Sequence, residues 1–323
     1  MRFVKLKMAA LLALGVLLTA CGGAEQEEKS ARELYQQASE LLYADNARYN
    51  FSSDMKIGTT VANPFTEELR LTLNGAIDNK ELRYELRPEV EAGVFSVKMP
   101  LLLDAGKKQL VLDPSNLVDT VGMFVPDAAQ QLAKYRGKHV RFSLSNFDVD
   151  SGEMEEVMLV FAELLRIGTG ALNQFYTLVP DSSIQKLELD SKAKELKATA
   201  KIRVDLDSAQ SRELQRQINA YFIAEVEKSQ VLPAECKVDF VEAMQDIDSY
   251  DNGVENSSSI MYINASGQLV HGQETYNFNV EDESATLIMT TDYSNYGKPE
   301  FKIAPKESDI IEITQQELEQ FRG

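Results

Sequence analysis

The strongest constraint on this chain's fold is an alternation of apolar and polar residues in two groups of segments far apart in the sequence. The alternating segments are residues 49–57, 69–77, 82–86 and 285–293, and residues 259–263 and 268–280 are expected to be the preceding strands of a closing meander. Successive side chains of an extended strand point to opposite faces, so this alternation predicts strands with one apolar face. Turn sequences such as Asp78-Asn79-Lys80 and Asn264-Ala265-Ser266-Gly267 separate neighbouring segments. We therefore expect an antiparallel sheet.

Segments with helical periodicity precede and separate the predicted strands. Ser30 and Glu33 have the spacing of a capping box, and apolar residues recur at helical spacing through residues 34–42. A second apolar stripe, within residues 153–165, is expected to end near the glycines at 168–170. Strands and helices together predict an α+β fold in which an antiparallel sheet packs on several helices.

Further segments are less regular. Apolar residues spaced through residues 214–226 predict another long helix, and the Asp, Asn, Ser and Gly content of residues 245–259 predicts a loop. Residues 301–303 are expected to form a short strand, and Thr314 to Glu317 have the spacing of a capping box for a final helix.

The amino terminus has the pattern of a secretory signal peptide. Arg2, Lys5 and Lys7 precede an uncharged, mainly apolar run at residues 8–20, which is shorter than the roughly 20 residues that a membrane-spanning helix needs. The run ends in Leu-Thr-Ala followed by Cys21, a sequence that resembles the lipobox of bacterial lipoproteins.

This resemblance implies a specific maturation. Residues 1–20 would be removed by cleavage between Ala20 and Cys21, and the Cys21 thiol would carry diacylglycerol, with acyl chains such as palmitate. An acidic tether at residues 21–29 would connect the lipid to a single domain at residues 30–323. The expected location is the cell envelope, facing the periplasm and attached to a membrane by the lipid.

Residue 22 refines the expected location. It is glycine rather than aspartate, which in such lipoproteins implies the outer membrane if the source has two membranes.

Composition excludes some partners and sites. Cleavage would remove three of the 33 Lys and Arg residues and leave all 51 Asp and Glu residues, so nucleic-acid binding is not expected. With Cys21 lipidated, Cys236 has no internal disulfide partner and is expected to be a buried apolar residue. The two histidines, His139 and His271, are too few for a site of several imidazoles, and both are expected in strands.

The order of elements resembles a known superfamily. An amino-terminal helix, a long antiparallel run, inserted helices and a closing meander precede the segment Asn-Tyr-Gly-Lys-Pro-Glu-Phe-Lys-Ile-Ala-Pro at residues 295–305. This order is similar to that of the LolA/LolB-like lipoprotein carriers. The resemblance implies a curved, incomplete β-barrel wrapped on helices, with a cavity that holds acyl chains. The chain departs from the carriers in its size and in its acidic segment at residues 246–255.

Motifs for catalysis and metal binding are missing. The sequence has no Gly-x-Ser-x-Gly elbow and no phosphate-binding glycine loop, so neither an enzyme nor a cofactor is expected. Acidic residues surround Gly253, but Tyr250 and Ser259 occupy positions where a calcium loop needs acidic ligands. No metal site is predicted.

The candidate ligand contacts lie on the second apolar stripe. They are Val157, Met158, Phe161, Leu164 and Leu165. If the helix covers a cavity, these side chains would contact a lipid or acyl chain; the alternative is that they pack on the sheet as core. Two functions follow: noncatalytic binding of a hydrophobic ligand, or an envelope scaffold with a filled interior that binds a protein partner.

Overall fold

The computed structural model describes residues 29–313, except for residues 45, 60–68, 94, 126–129, 131, 144–150, 250–253 and 281–282. The predicted signal peptide, Cys21, nearly all of the tether and the final helix predicted at 314–317 lie outside the described residues.

In the described residues, thirteen strands form one sheet. They are β1 Arg48–Thr59, β2 Leu69–Asp78, β3 Arg83–Ala92, β4 Phe95–Lys98, β5 Leu101–Asp104, β6 Gln109–Leu112, β7 His139–Ser143, β8 Ile184–Leu187, β9 Ala198–Asp207, β10 Val254–Asn264, β11 Leu269–Val280, β12 Glu283–Ser294 and β13 Ile310–Glu312. The strand order is β13-β7-β6-β5-β3-β2-β1-β12-β11-β10-β9-β8, with β4 beside β3. All pairs are antiparallel except β13 with β7.

Six α-helices accompany the sheet in the same residues. They are α1 Ala31–Tyr43, α2 Ser115–Phe124, α3 Ser151–Leu178, α4 Ser191–Glu195, α5 Ser208–Lys228 and α6 Ala234–Ser249. The predicted capping box is present at α1, where Ser30 and Glu33 exchange hydrogen bonds. The structure confirms the predicted α+β class, with a curved, mainly antiparallel sheet wrapped on several helices. No ladder joins edge strands β8 and β13 within the described residues, so the barrel is incomplete.

The predicted end of α3 is wrong. The helix passes through Gly168 and Gly170 and continues to Leu178. A methyl group added at Gly170 would lie 2.6 Å from the hydroxyl oxygen of Tyr221, so this glycine permits close approach of α5 instead of ending the helix. The extra turns carry Phe175 and Tyr176, which pack against the main core, and this packing outweighs the roughly 1 kcal/mol by which a helical glycine is disfavoured.

Two other local predictions are also wrong. Much of the loop predicted at residues 245–259 is regular, because α6 continues to Ser249 and β10 begins at Val254. Pairing of β10 with both β9 and β11 overrides the polar composition. Residues 301–303 do not form a strand; the backbone amides of Lys302 and Ile303 instead donate to the carboxylate of Glu85.

The main core lies between the helices and one face of the sheet, which we call the inner face. Tyr35, Ala38 and Leu42 of α1 pack there against Ile202 of β9 and Ile263 of β10. The opposite, outer face is covered in part by the segment after β12, where Ile303 packs on Leu102 and Val111.

Candidate functional site

A cavity of about 270 Å³ interrupts the main core, between the inner face of β9–β12 and helices α1, α3 and α5. It is partly open to solvent. The lining residues are Tyr35, Phe175, Tyr176, Val204, Leu206, Ser211, Gln215, Ile218, Val254, Ser257, Ser258, Ser259, Met261, Leu269, Gly272, Glu274, Tyr276, Thr291 and Tyr293. Ligand sites typically span about 300–1,000 Å³, so this cavity is close to the lower end of that range.

The strand register identifies the residues of the sheet that form the floor of the cavity. Directly opposed residues in antiparallel strands share a face. One row across the sheet runs from Met261 through Gly272 to Thr291. Because Gly272 has no side chain, this row leaves space between the floor and the helices.

Aromatic side chains form much of the wall. Tyr35 is buried, and its ring centroid lies 5.3 Å from that of Tyr176, which in turn lies 5.5 Å from Phe175. Burial raises the pKa of the Tyr35, Tyr176 and Tyr293 hydroxyls, so these phenols are neutral at physiological pH. The wall therefore offers apolar ring faces.

One acidic residue, Glu274, lies among these rings. The Tyr276 hydroxyl donates a hydrogen bond of 2.8 Å to Oε2 of Glu274. Burial raises the pKa of the Glu274 carboxyl, and the hydrogen bond from Tyr276 opposes this shift only in part. Within the part of the chain that the structure describes, no ion pair joins Glu274 to a cation, and no Lys, Arg or His lines the cavity.

The predicted contact residues lie in the same helix but nearer its start. Leu164 packs with Ile167, Val226 and Leu232 in a cluster between helices. The side chains of Val157, Met158, Phe161 and Leu165 lie outside the described residues. The described cavity residues of α3 are instead Phe175 and Tyr176, beyond the glycines at which we expected the helix to end.

Two signals in the sequence could have located the cavity. Ser257 and Ser259 are polar residues where β10 faces the core, and Glu274 interrupts the apolar parity of β11 with an acid. A polar residue on the buried side of a strand needs a partner or a ligand, which makes such interruptions informative.

The histidines and Cys236 are elsewhere. His139 lies in β7 and His271 in β11, which confirms that both are strand residues. His271 is buried on the outer face, with Nδ1 2.6 Å from Oδ1 of Asp292. Cys236 is only half-buried, so its predicted burial is wrong; α6 turns its neighbour Val238 outward, 54% exposed.

The described residues contain no group of three or more His, Cys, Asp and Glu side chains that could hold a metal ion. In the acidic segment at residues 246–255, the side chains of residues 246–253 lie outside them. Among the described helices, none is both long and apolar enough to cross a membrane.

No protein-family model matches the chain, and no curated protein matches it.

Proposed function

We propose that this chain is a lipid-anchored envelope protein that binds a hydrophobic small molecule without catalysis. The cavity between β9–β12 and the helices carries this proposal. A filled interior would favour the scaffold function, whereas a cavity inside the main core favours ligand binding.

The lining supports an apolar ligand. Val204, Leu206, Ile218, Met261 and Leu269 contribute aliphatic surface, and the aromatic wall adds to it. Each methylene group that leaves water for such a site gains about 0.8 kcal/mol, so a ligand with a few buried carbons would bind measurably.

Gly272 provides the sharpest test of the cavity. A Cβ atom added there would meet only Leu269 Cδ2, at 4.0 Å, so a larger side chain can enter the cavity without a clash at its first atom. Gly58 of β1 is a matched control, because a Cβ there would be 3.9 Å from the nearest atom, a backbone oxygen of Thr286, and the residue is exposed.

The experiment compares binding of a fluorescent hydrophobic probe by residues 24–323, by Gly272→Met and by Gly58→Met. We expect Gly272→Met to weaken binding at least about tenfold, because methionine occupies volume that the ligand needs, and Gly58→Met to leave it unchanged. Because a glycine within a strand contributes little to its stability, both variants should have the same denaturation midpoint as the unchanged protein. Equal binding by all three proteins would contradict the proposed site.

The lipid anchor needs its own test. Cys21 is the acceptor that the lipobox resemblance implies, and no other cysteine lies near it. We expect Cys21→Ser to abolish labelling by a palmitate analogue and processing after Ala20. Labelling of the variant at the level of the unchanged protein would contradict the anchor.

A specific surface supports the scaffold as the second candidate. Large apolar side chains are exposed on β4, on α2 and just after α2, among them Phe95 at 43%, Met123 at 71% and Val125 at 51%. Exposed apolar groups of this kind mark contact sites for protein partners when they are contiguous. If no apolar probe binds and no lipid co-purifies, the scaffold function takes precedence.

A further inference from the structure

We infer, on the basis of the proposed function, that the ligand carries a positively charged amine beside its apolar body, and that Glu274 binds this amine. The chemical class is therefore a cationic amphiphile rather than a fatty-acid anion.

The charge of the cavity lining favours a cationic ligand. Glu274 is the one ionisable acid among the described lining residues, and none of those residues is Lys, Arg or His. A carboxylate in a poorly solvated site is stable only when it is paired or hydrogen-bonded, and here the described chain supplies a single phenol donor at 2.8 Å. A ligand ammonium would supply the missing positive charge.

The aromatic wall also favours a cation. Tyr35, Phe175, Tyr176, Tyr276 and Tyr293 line the cavity. The face of an aromatic ring attracts a cation, and the attraction strengthens when water is excluded. An ammonium group beside Glu274 would lie among neutral rings, which is the environment that proteins use to bind organic cations.

The same features disfavour a fatty-acid anion. A ligand carboxylate would meet Glu274 without a cation between them, and like charges in a site of low dielectric repel strongly. One of the two carboxyls would have to bind a proton at the expense of affinity. The excess of 51 acidic over 33 basic residues adds a long-range field that favours a cationic ligand.

The test uses the full chain in nanodiscs of zwitterionic lipid and two photoreactive probes of equal chain length, an alkylammonium and a fatty acid. Adducts are mapped by mass spectrometry to peptides that contain Met261 or Tyr176. Glu274→Gln keeps the acceptor for Tyr276 and removes the charge. Comparing each probe between the two proteins cancels the unequal partition of the probes into the bilayer.

We expect the substitution to lower alkylammonium labelling of the cavity peptides at least about tenfold, equivalent to about 1.4 kcal/mol. Fatty-acid labelling should be unchanged or higher in Glu274→Gln. If both probes label the cavity and the substitution changes neither, the preference for a cation is overturned while the proposed function stands. If neither probe labels these peptides, the proposed function fails and the preference fails with it.

Discussion

Glu85 and Glu274 both lie in strands of one sheet, yet their surroundings differ completely. Glu85, on the outer face, is fully buried, and Oε2 accepts hydrogen bonds of 2.6 and 2.7 Å from the amides of Lys302 and Ile303. Its Oε1 lies 3.2 Å from Nε of Arg87. Glu274, on the inner face, borders a cavity and accepts one hydrogen bond, from Tyr276.

The outer face around Glu85 is closed by the chain itself. Asn50 fixes the segment after β12 by donating to the carbonyl of Glu300 and accepting from its amide, both at 2.8 Å. The guanidinium of Arg83 lies 4.1 Å from the ring centroid of Phe301. The chain itself therefore uses the Glu85 carboxylate to hold a segment, whereas Glu274 has one donor from the chain and, under the proposed function, faces a ligand.

The largest expected effect is a loss of stability on the outer face around Glu85. Glu85→Ala would leave the amides of Lys302 and Ile303 without this acceptor, the second of them buried, and hydrogen bonds to charged groups contribute roughly 1.5–3 kcal/mol each. We expect the free energy of unfolding to fall by about 3 kcal/mol, measured by denaturant titration. Glu85→Gln, which keeps an acceptor oxygen, should lose less than half as much. A loss below about 1 kcal/mol in the alanine variant would show that this carboxylate does not hold the segment.

Alanine substitutions of one apolar residue on each face compare how tightly the two faces are packed. Leu102 is buried beneath Ile303, whereas Ile218 borders the cavity and is only partly buried. Leu102→Ala should cost about 3 kcal/mol, and Ile218→Ala about 1 kcal/mol, because truncation beside an existing cavity removes fewer contacts. Denaturation midpoints of the two variants measure the difference. Equal losses would mean that the inner face is as tightly packed as the outer one.

The smallest expected effect is an increase in stability on substitution of Glu274. Burial raises the pKa of Glu274, so the folded state holds a proton more tightly than the unfolded state, and stability falls as pH rises through the interval between the two pKa values. Glu274→Gln removes that loss. We expect it to stabilise the protein at neutral pH and to have no effect at a pH below both pKa values, where the carboxyl is protonated in the folded and unfolded states. Destabilisation by Glu274→Gln at neutral pH would place Glu274 among structural residues.

The fold was largely predictable because its signals are local. Alternation indicated β1, β2 and β12, the turn sequences before β12 indicated the meander of β10–β12, and the capping box at Ser30 indicated the start of α1. The errors arose where tertiary contacts decide. Gly170 lies in mid-helix because the Tyr221 hydroxyl packs where a larger side chain would be. Residues 301–303 are irregular because the amides of Lys302 and Ile303 donate hydrogen bonds to Glu85 instead of to a neighbouring strand.

The cavity was less predictable than the fold. Its wall combines α1, the last turns of α3, α5 and four strands, and their meeting depends on packing that no single segment encodes. An apolar stripe such as the one containing Leu164 has the same sequence pattern whether it packs on helices or on a ligand. The polar interruptions at Ser257 and Glu274 carried more information about the site than the apolar residues did.

Anomalous diffraction from crystals of residues 24–323 grown with a bromoalkyl ammonium tests the central claim most directly, since bromine marks the position of the apolar chain. We predict one strong peak within about 4 Å of Met261 or Ile218, the distance of apolar contact, with the ammonium end toward Glu274. A peak only at the exposed side chains of Phe95 and Met123, with the cavity empty, would contradict the claim and favour the scaffold function.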